Sequence, residues 1–300
     1  MEKRFDAVCF GEILWDILPT GTKPGGAPMN VAYHLQKQGL QTALISRVGK
    51  DKRGDELLSL LVINGINTSY VQQDSAHMTG IVNATILESN EVTYEIVQPV
   101  AWDFISLEKG LTELVNDARF FIYGSLAARH DTSAKTLWKL LEAAHTKVLD
   151  INLRPPHFSK DLVEKLLHTA DILKLNEHEL PLISSWYTNL ATDEEKIKDL
   201  QSRFSIPTII VTRGGEGAMV CQEGCLYAHG GFKVKVADTV GSGDAFLAGF
   251  LAKTKEGVAI EERLQFANSL GAFIASRQGA CPSYDLSEIS SVKTTASLPK

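Results

Sequence analysis

Short, nearly continuous apolar runs alternate along this chain with longer runs in which apolar residues recur every three or four positions. The short runs are FDAVCF (5–10), TALIS (42–46), RFFIYG (119–124), VLDIN (148–152), DILKLN (171–176) and TIIVT (208–212). Their length and their β-branched and aromatic content predict strands. Apolar runs without alternation are what a parallel sheet covered on both faces requires. The longer runs include NVAYHLQKQ (30–38), SAKTLWKLLEAAHT (133–146) and DEEKIKDLQSRF (193–204). In the second, Leu137, Leu140 and Leu141 share one helical face, and in the third Ile197, Leu200 and Phe204 do. The alternation predicts an α/β fold with a doubly wound, mainly parallel sheet.

Residues 80–97, GIVNATILESNEVTYEIV, break the pattern. They predict two strands joined around residues 88–91, a hairpin. Such a hairpin either extends the edge of the main sheet or covers the ligand site, and the flap is the expectation here. Residues 12–24, with Pro19, Gly21 and Pro24, supply a further extended piece. With no internal repeat or long linker, the expected organisation is one domain over residues 1–300 with a small β lid from segments near 12–24 and 80–104.

Composition narrows the partners. Thirty Lys and Arg against 36 Asp and Glu leave a net charge of −6, which argues against nucleic acid, whose binding demands a clustered basic face. The N-terminal apolar run is too short and too soon interrupted by acids for a signal peptide, and no stretch nears the roughly 18 apolar residues of a membrane span. A cytoplasmic protein without membrane partners is expected. Cys9, Cys221, Cys225 and Cys281 form no C-x-x-C pair and no zinc spacing, so free thiols are expected.

The candidate chemistry centres on VADTVGSGDAFLAGF (236–250). A strand-like run, FKVKVAD (232–238), leads into VGSGD, and AFLAGFLAK follows as a buried helix. Gly241 and Gly243 let amides turn toward one point, and a helix N-terminus adds free N–H groups and partial positive charge. That combination makes an anion site suited to a transferring phosphoryl group. Asp244 is out of place in an anion site unless it has a separate role. It either accepts a proton from an attacking hydroxyl, worth about 10²–10⁴ in rate, or caps the helix, worth about 0.5–2 kcal/mol. No Walker sequence is present, and Phe246 occupies the third glycine position of a dinucleotide fingerprint. A second cluster, PGGAPMN (24–30), permits close backbone approach to a ligand at Gly25 and Gly26. Asn30 offers both a donor and an acceptor, as sugar hydroxyls require, or else caps the following helix. Upstream, GEILWD carries Glu12 and Asp16, and Asp16 either bonds two adjacent hydroxyls or is a solvated loop acid.

GGAPMNVAYHLQKQGLQTALISRVGKDKRG (25–54) and DTVGSGDAFLAGF (238–250) together resemble the two signatures of the ribokinase-type (PfkB) carbohydrate kinases, in the same order and at a similar separation. LNEHE (175–179) resembles that family's N-x-x-E motif and TRGGEG (212–217) its nucleotide loop. The resemblance spans nearly the whole chain. It implies a ribokinase-like fold and phosphorylation of a sugar by ATP. It implies that Asp244 is the catalytic base and that Gly241, Ser242 and Gly243 supply the anion hole. Asn176 and Glu179 would organise Mg²⁺ and the ATP phosphates, Glu179 through water. Thr212, Gly214 and Gly217 would border the nucleotide, with Asn268 near the adenine. Asp16, Gly26 and Asn30 would hold the sugar. A monovalent cation, K⁺, is implied at carbonyls around Asp238, Val240 and the loop SRQGACPS (276–283). Ser242 stands where many members carry Ala.

The acceptor is narrowed by the same resemblance. Residues 12–25 form a short first loop, and GEILWDILP with PGGAPMNVA looks most like the fructokinases, as does LDINLRPPHF (149–158) with its D-x-N-x-R pattern. Arg154 pairs with a phosphate or substrate oxygen, or is a surface residue before Pro155 and Pro156. Trp15, Trp102 and Phe104 pack either a sugar face or the core. D-fructose is the expected acceptor, with ribose, 2-keto-3-deoxygluconate or a nucleoside as alternatives. A protein that binds sugar or nucleotide without turnover is the rival from another class. The short lid leaves monomer and homodimer both open.

Overall fold

The structure, a computed structural model, describes residues 5–19, 21–86 and 92–295. In chain order its strands are β1 (Ala7–Phe10), β2 (Leu14–Leu18), β3 (Gly21–Gly25), β4 (Thr42–Gly49), β5 (Val71–Asp74), β6 (Gly80–Ile86), β7 (Val92–Ile96), β8 (Phe120–Gly124), β9 (Thr146–Asp150), β10 (Ile172–Asn176), β11 (Thr208–Thr212), β12 (Ala218–Gln222) and β13 (Cys225–His229). The helices are α1 (Ala27–Lys37), α2 (Lys52–Ile63), α3 (Leu111–Asp117), α4 (Asp131–Leu141), α5 (Lys160–Leu167), α6 (Glu179–Ser185), α7 (Asp193–Phe204), α8 (Ser242–Glu256), α9 (Ile260–Ala275) and α10 (Leu286–Thr295).

Nine strands form the main sheet in the order β13-β12-β11-β10-β9-β8-β1-β4-β5. The seven from β11 to β5 are parallel to their neighbours, and β12 and β13 add an antiparallel edge. All six strands expected from the apolar runs lie in this sheet. Their residues alternate between two cores: Ala7 and Cys9 face α1, α2, α8 and α9, while Val8 and Phe10 face α3 to α7. This double cover explains why the strands read as unbroken apolar runs. The helical faces also appear as expected, with Leu137, Leu140, Ile197 and Leu200 fully buried. Helix α7 starts with a reciprocal box in which the Thr192 side chain accepts from the Glu195 amide and the Glu195 side chain accepts from the Thr192 amide. The order of strands reverses at β1, which is flanked by β4 and β8, and a crevice opens beyond their carboxyl ends.

Residues 232–238 are not the expected strand. They pair with no other strand, and the amides of Ala237 and Asp238 donate to the Ala275 carbonyl at the end of α9. Phe232 is buried in the core and Val234 packs against it, so the alternation along this run reflects one-sided burial beside a helix. All four cysteines are free thiols. No helix among the described residues is long and apolar enough to cross a membrane.

The segments near 12–24 and 80–96 build a second sheet together, in the order β3-β2-β6-β7. β2–β3 and β6–β7 are antiparallel, and β2–β6 at the centre is parallel. The expected turn at 88–91 lies outside the described residues. Among the described residues, side-chain contacts tie this sheet and the segment that follows β7 to the main body. Trp15 Nε1 donates to the Arg53 carbonyl at 3.0 Å. Lys23 pairs with Asp238 at 3.3 Å. Arg129 grips Asp103 at 2.7 and 2.8 Å, donates to the Val97 carbonyl at 2.8 Å and lies 3.8 Å over the Trp102 ring. Trp15 and Trp102 are buried and Phe104 stacks on His77 at 3.7 Å, so of the two readings of these aromatics the packing one fits.

Arg129 and Asp103 are almost fully buried, so removing one partner leaves an uncompensated charge. Arg129→Ala is expected to lower stability by about 3–5 kcal/mol in urea unfolding. A loss below about 1 kcal/mol would mean that the pair contributes no more than an exposed one.

Candidate active site

Two helix N-termini meet at the crevice. Helix α1 starts after Gly26, whose φ is 115° and whose place no side chain could share, because a β-carbon would collide with the Glu12 carbonyl oxygen. Helix α8 starts after Gly241, with φ 79°, where a β-carbon would lie 2.6 Å from Ala280 Cα. Asn30 is therefore inside the first turns of α1, and Asp244 is the third residue of α8. Neither is a cap: the N-caps are Gly26 and Gly241, and neither start has a side-chain cap bond. Asn30 Nδ2 instead donates to Asp244 Oδ2 at 2.8 Å across 214 residues of sequence. The Ser242 amide and hydroxyl both donate to the Thr239 carbonyl, at 3.3 and 2.9 Å, because the chain turns tightly from 239 to 242. Among the three expected anion-hole residues, that amide is thus committed within the turn.

The charges in the crevice are unusual. Burial pushes the Asp244 carboxyl up to about 6, and the negative charge of Asp150 adds to it, against Lys174, the Asn30 bond and Arg154. Burial raises Glu12 to about 7, although its own amide and that of Ala27 oppose the shift. Glu12 Oε1 accepts from the Ala27 amide at 3.2 Å, while Oε2 is buried without a partner. Asp16 is raised to about 6, again by burial, against the charges of Arg154 and Lys23. Its carboxylate lies where a side chain at Gly25 would project. Arg154 is exposed and bonds only locally, to the Leu153 carbonyl at 3.1 Å, yet its charge reaches Glu12, Asp16 and Asp244. A small niche lies beside Glu12, lined also by Ala27, Ser125 and Asn152.

Lys174 was not expected here, and Asp150 entered only as the first residue of the D-x-N-x-R pattern, with no role assigned. They face each other in the register of β10 and β9, and Lys174 Nζ donates to both Asp150 oxygens at 2.8 Å. Their signal in the sequence is a lone Lys within the apolar DILKLN and a lone Asp within VLDIN, which a strand buried on both faces tolerates only as a pair.

A larger cleft of about 160 Å³ runs up to the start of α8. Thr212, Gly214, Gly217, Ser242, Gly243 and Asn268 line it. The irregular run 232–238 contributes Phe232, Val234 and Val236 to its wall. Asn176 and Glu179 stand apart from this lining, at the start of α6. Asn176 Oδ1 accepts from the amides of His178 and Glu179, and Glu179 accepts from the amides of Asn176 and Leu153, all near 2.8–2.9 Å. Asp238 accepts from the amides of Val240 and Gly279 and from Lys23, and these bonds outweigh burial and hold its carboxyl below the usual range. They also bring the turn at Asp238 and Val240 beside loop 276–283. Among the described residues no three His, Cys, Asp or Glu side chains are grouped to hold a metal ion.

Residues 12–286 match the pfkB family of carbohydrate kinases. A fructokinase of Escherichia coli is 30% identical over 291 residues, covering 90% of this chain and 93% of that one. A probable chloroplastic fructokinase-6 of Arabidopsis thaliana is 29% identical over 94% of this chain and 80% of its own length. Among solved structures, a fructokinase from Xylella fastidiosa with bound ATP superposes with a TM-score of 0.83 at 24% identity, covering 96% and 98% of the two chains. A double-mutant fructokinase from Vibrio cholerae, bound to fructose, ADP and potassium ion, gives 0.82 at 23% identity, covering 97% and 99%. The fold is thus ribokinase-like.

A carboxyl whose pKa is raised on folding stabilises the protein fully below its unfolded value, near 4, and loses that contribution as pH rises through its folded value, near 6 for Asp244. Asp244→Asn removes the buried charge. It is expected to be more stable than the unsubstituted chain by about 1–3 kcal/mol at pH 8. The difference should shrink toward pH 4 in paired denaturation curves. An equal difference at both values would show that Asp244 ionises without hindrance.

Proposed function

This chain belongs to the pfkB family of carbohydrate kinases, and on that premise we propose that it transfers the γ-phosphoryl group of ATP to a hydroxyl of D-fructose, with Asp244 as general base. The carrying observation is the placement of one buried carboxylate. Asp244 follows Ser242 and Gly243 at the end of the larger cleft and turns to Asn30 on the acceptor side. Nucleotide phosphates lie in the cleft against the first turn of α8, and the sugar lies against Asp16, Gly26 and Asn30. Arg154 stands at the acceptor side, where its charge reaches three acids. The names of the curated relatives and the fructose bound in the Vibrio cholerae protein support the choice of acceptor.

The sugar hydroxyl attacks the γ-phosphorus in line while Asp244 takes its proton, so the alkoxide never forms free. Asn30 keeps the carboxylate aimed and favours its charged form. A pKa near 6 suits a general base, which is then ionised at neutral pH yet still draws a proton effectively. The phosphoryl charge is met by amides at the start of α8 and by the helix dipole. Thr212, Gly214, Gly217 and Asn268 bound the nucleotide.

Mg²⁺ travels with ATP phosphates and keeps much of its water. Asn176 and Glu179 suit it through that water, because each Glu179 oxygen accepts one amide bond and retains a lone pair. Bound there, Mg²⁺ would offset phosphate charge. A potassium ion suits the carbonyls near Asp238, Val240 and loop 276–283, where it would strengthen the field at the start of α8. The four-stranded sheet acts as a lid over the acceptor, carrying Asp16 and Lys23.

The test is ADP release with Mg-ATP over fructose, ribose, 2-keto-3-deoxygluconate, tagatose, fructose 6-phosphate and adenosine. Fructose should give the highest kcat/KM, with activity falling as pH drops through about 6. Asp244→Asn should lower kcat by about 10²–10⁴ with little change in KM. A variant within threefold of the unsubstituted enzyme would remove Asp244 as the base. ATP binding without turnover of any acceptor would favour a sensor.

A further inference from the structure

Lys174 projects from β10 into the buried centre of the site. Its side chain is only 8% exposed, and Asp150 is 6% exposed. An ammonium carries three N–H donors. Two are committed to Asp150 Oδ1 and Oδ2, each at 2.8 Å. The nitrogen lies 3.4 Å from the position a β-carbon on Gly243 would take, so it sits over the first turn of α8, at the end of the nucleotide cleft. Its charge also reaches Asp244 and Glu179.

A buried ion pair is a poor device for stability, since apolar residues of equal volume serve as well or better. This one stands where the kinase reading puts the transferring group. We propose that Lys174 is a further catalytic residue, whose remaining N–H donates to an oxygen of the γ-phosphoryl group while Asp150 holds the ammonium over α8. The proposal rests on the kinase reading above. It assigns the one buried cation of the cluster to the charge that spreads over the phosphoryl oxygens during transfer. A lysine suits this place because its compact charge can follow an oxygen as the phosphoryl group moves, while two anchoring bonds persist. Asp150 is the positioning residue of the pair.

Lys174→Met alone strands the Asp150 carboxylate and risks unfolding. The decisive variant is therefore the neutral double substitution Asp150→Asn with Lys174→Met, which removes both charges at similar volume. Two measurements are made on it and on the unsubstituted enzyme. Calorimetric titration of ATP and ADP reads the contact without turnover. The double variant should bind ADP within threefold of the unsubstituted protein, yet lose at least tenfold in its preference for ATP over ADP. Its kcat should fall by at least about 10²-fold, the scale of one lost transition-state donor. An unchanged ATP preference together with kcat within threefold would overturn the proposal and leave the pair a structural one. Failure of the kinase reading looks different: the unsubstituted protein then turns over no acceptor, and the ATP preference alone decides whether Lys174 meets the γ-phosphoryl group.

Discussion

One hydrogen bond, from Asn30 Nδ2 to Asp244 Oδ2, joins the starts of two helices that are remote in sequence, and the geometry of the site depends on it. It can form only if both helices begin where they do. On one side β3 ends at Gly25, the chain turns at Gly26 and α1 rises from the crevice. On the other side the turn at Gly241 presses against Ala280 and delivers α8. α8 in turn is set by α9: Gly249 meets Ala267 and Leu270, and Gly271 lies under the Ser242 carbonyl, all within about 3.2–3.3 Å of any added β-carbon. The carboxylate is therefore aimed by packed helices rather than by a loop, which is the more exacting way to hold a reacting group.

Acids in this protein divide by environment. Asp74 is drawn down to about 2: burial works against it, but the amides of Ala76 and His77 and the side chains of His77 and Arg47 outweigh that. Asp51 is likewise lowered, because amide bonds from Thr79 and Gly54 and the Thr79 hydroxyl overcome burial. These are carboxylates whose charge the fold wants. In the crevice, Glu12, Glu179 and Asp244 are shifted the other way, by burial first and then by a neighbouring carboxylate: Asp244 acts on Glu12, and Asp150 on Glu179 and Asp244. The fold gathers Asp150, Glu179 and Asp244 around Lys174 at the expense of its own stability, the usual relation between reactive sites and the rest of a structure.

Much of this is legible in the amino-acid sequence. Six strands follow from apolar runs because a sheet covered on both faces leaves no polar positions to blur them. Helix α7 is readable to its ends because a capping box marks its start. The run 232–238 misleads because alternation signals one-sided burial, and a helix can provide that as well as a sheet. Asn30 and Asp244 stand out as residues, but their bond does not, since no local pattern reports a contact across 214 positions. Lys174 and Asp150 escape for the same reason: their pairing is a matter of register between β9 and β10, which single strands do not carry.

The smaller sheet has a consequence for how the molecule assembles. Its central pair is parallel, with Leu14 opposite Gly80, and so it cannot arise as a local hairpin. β3, α1, β4, α2 and β5 intervene between the two strands, so the chain returns from the edge of the main sheet to lay β6 beside β2. Contacts of such wide separation carry a larger loop-closure cost than a hairpin does. The smaller sheet is thus a product of the folding of the chain as a whole, as is the still wider pairing of Ala7 with Phe120 in the main sheet.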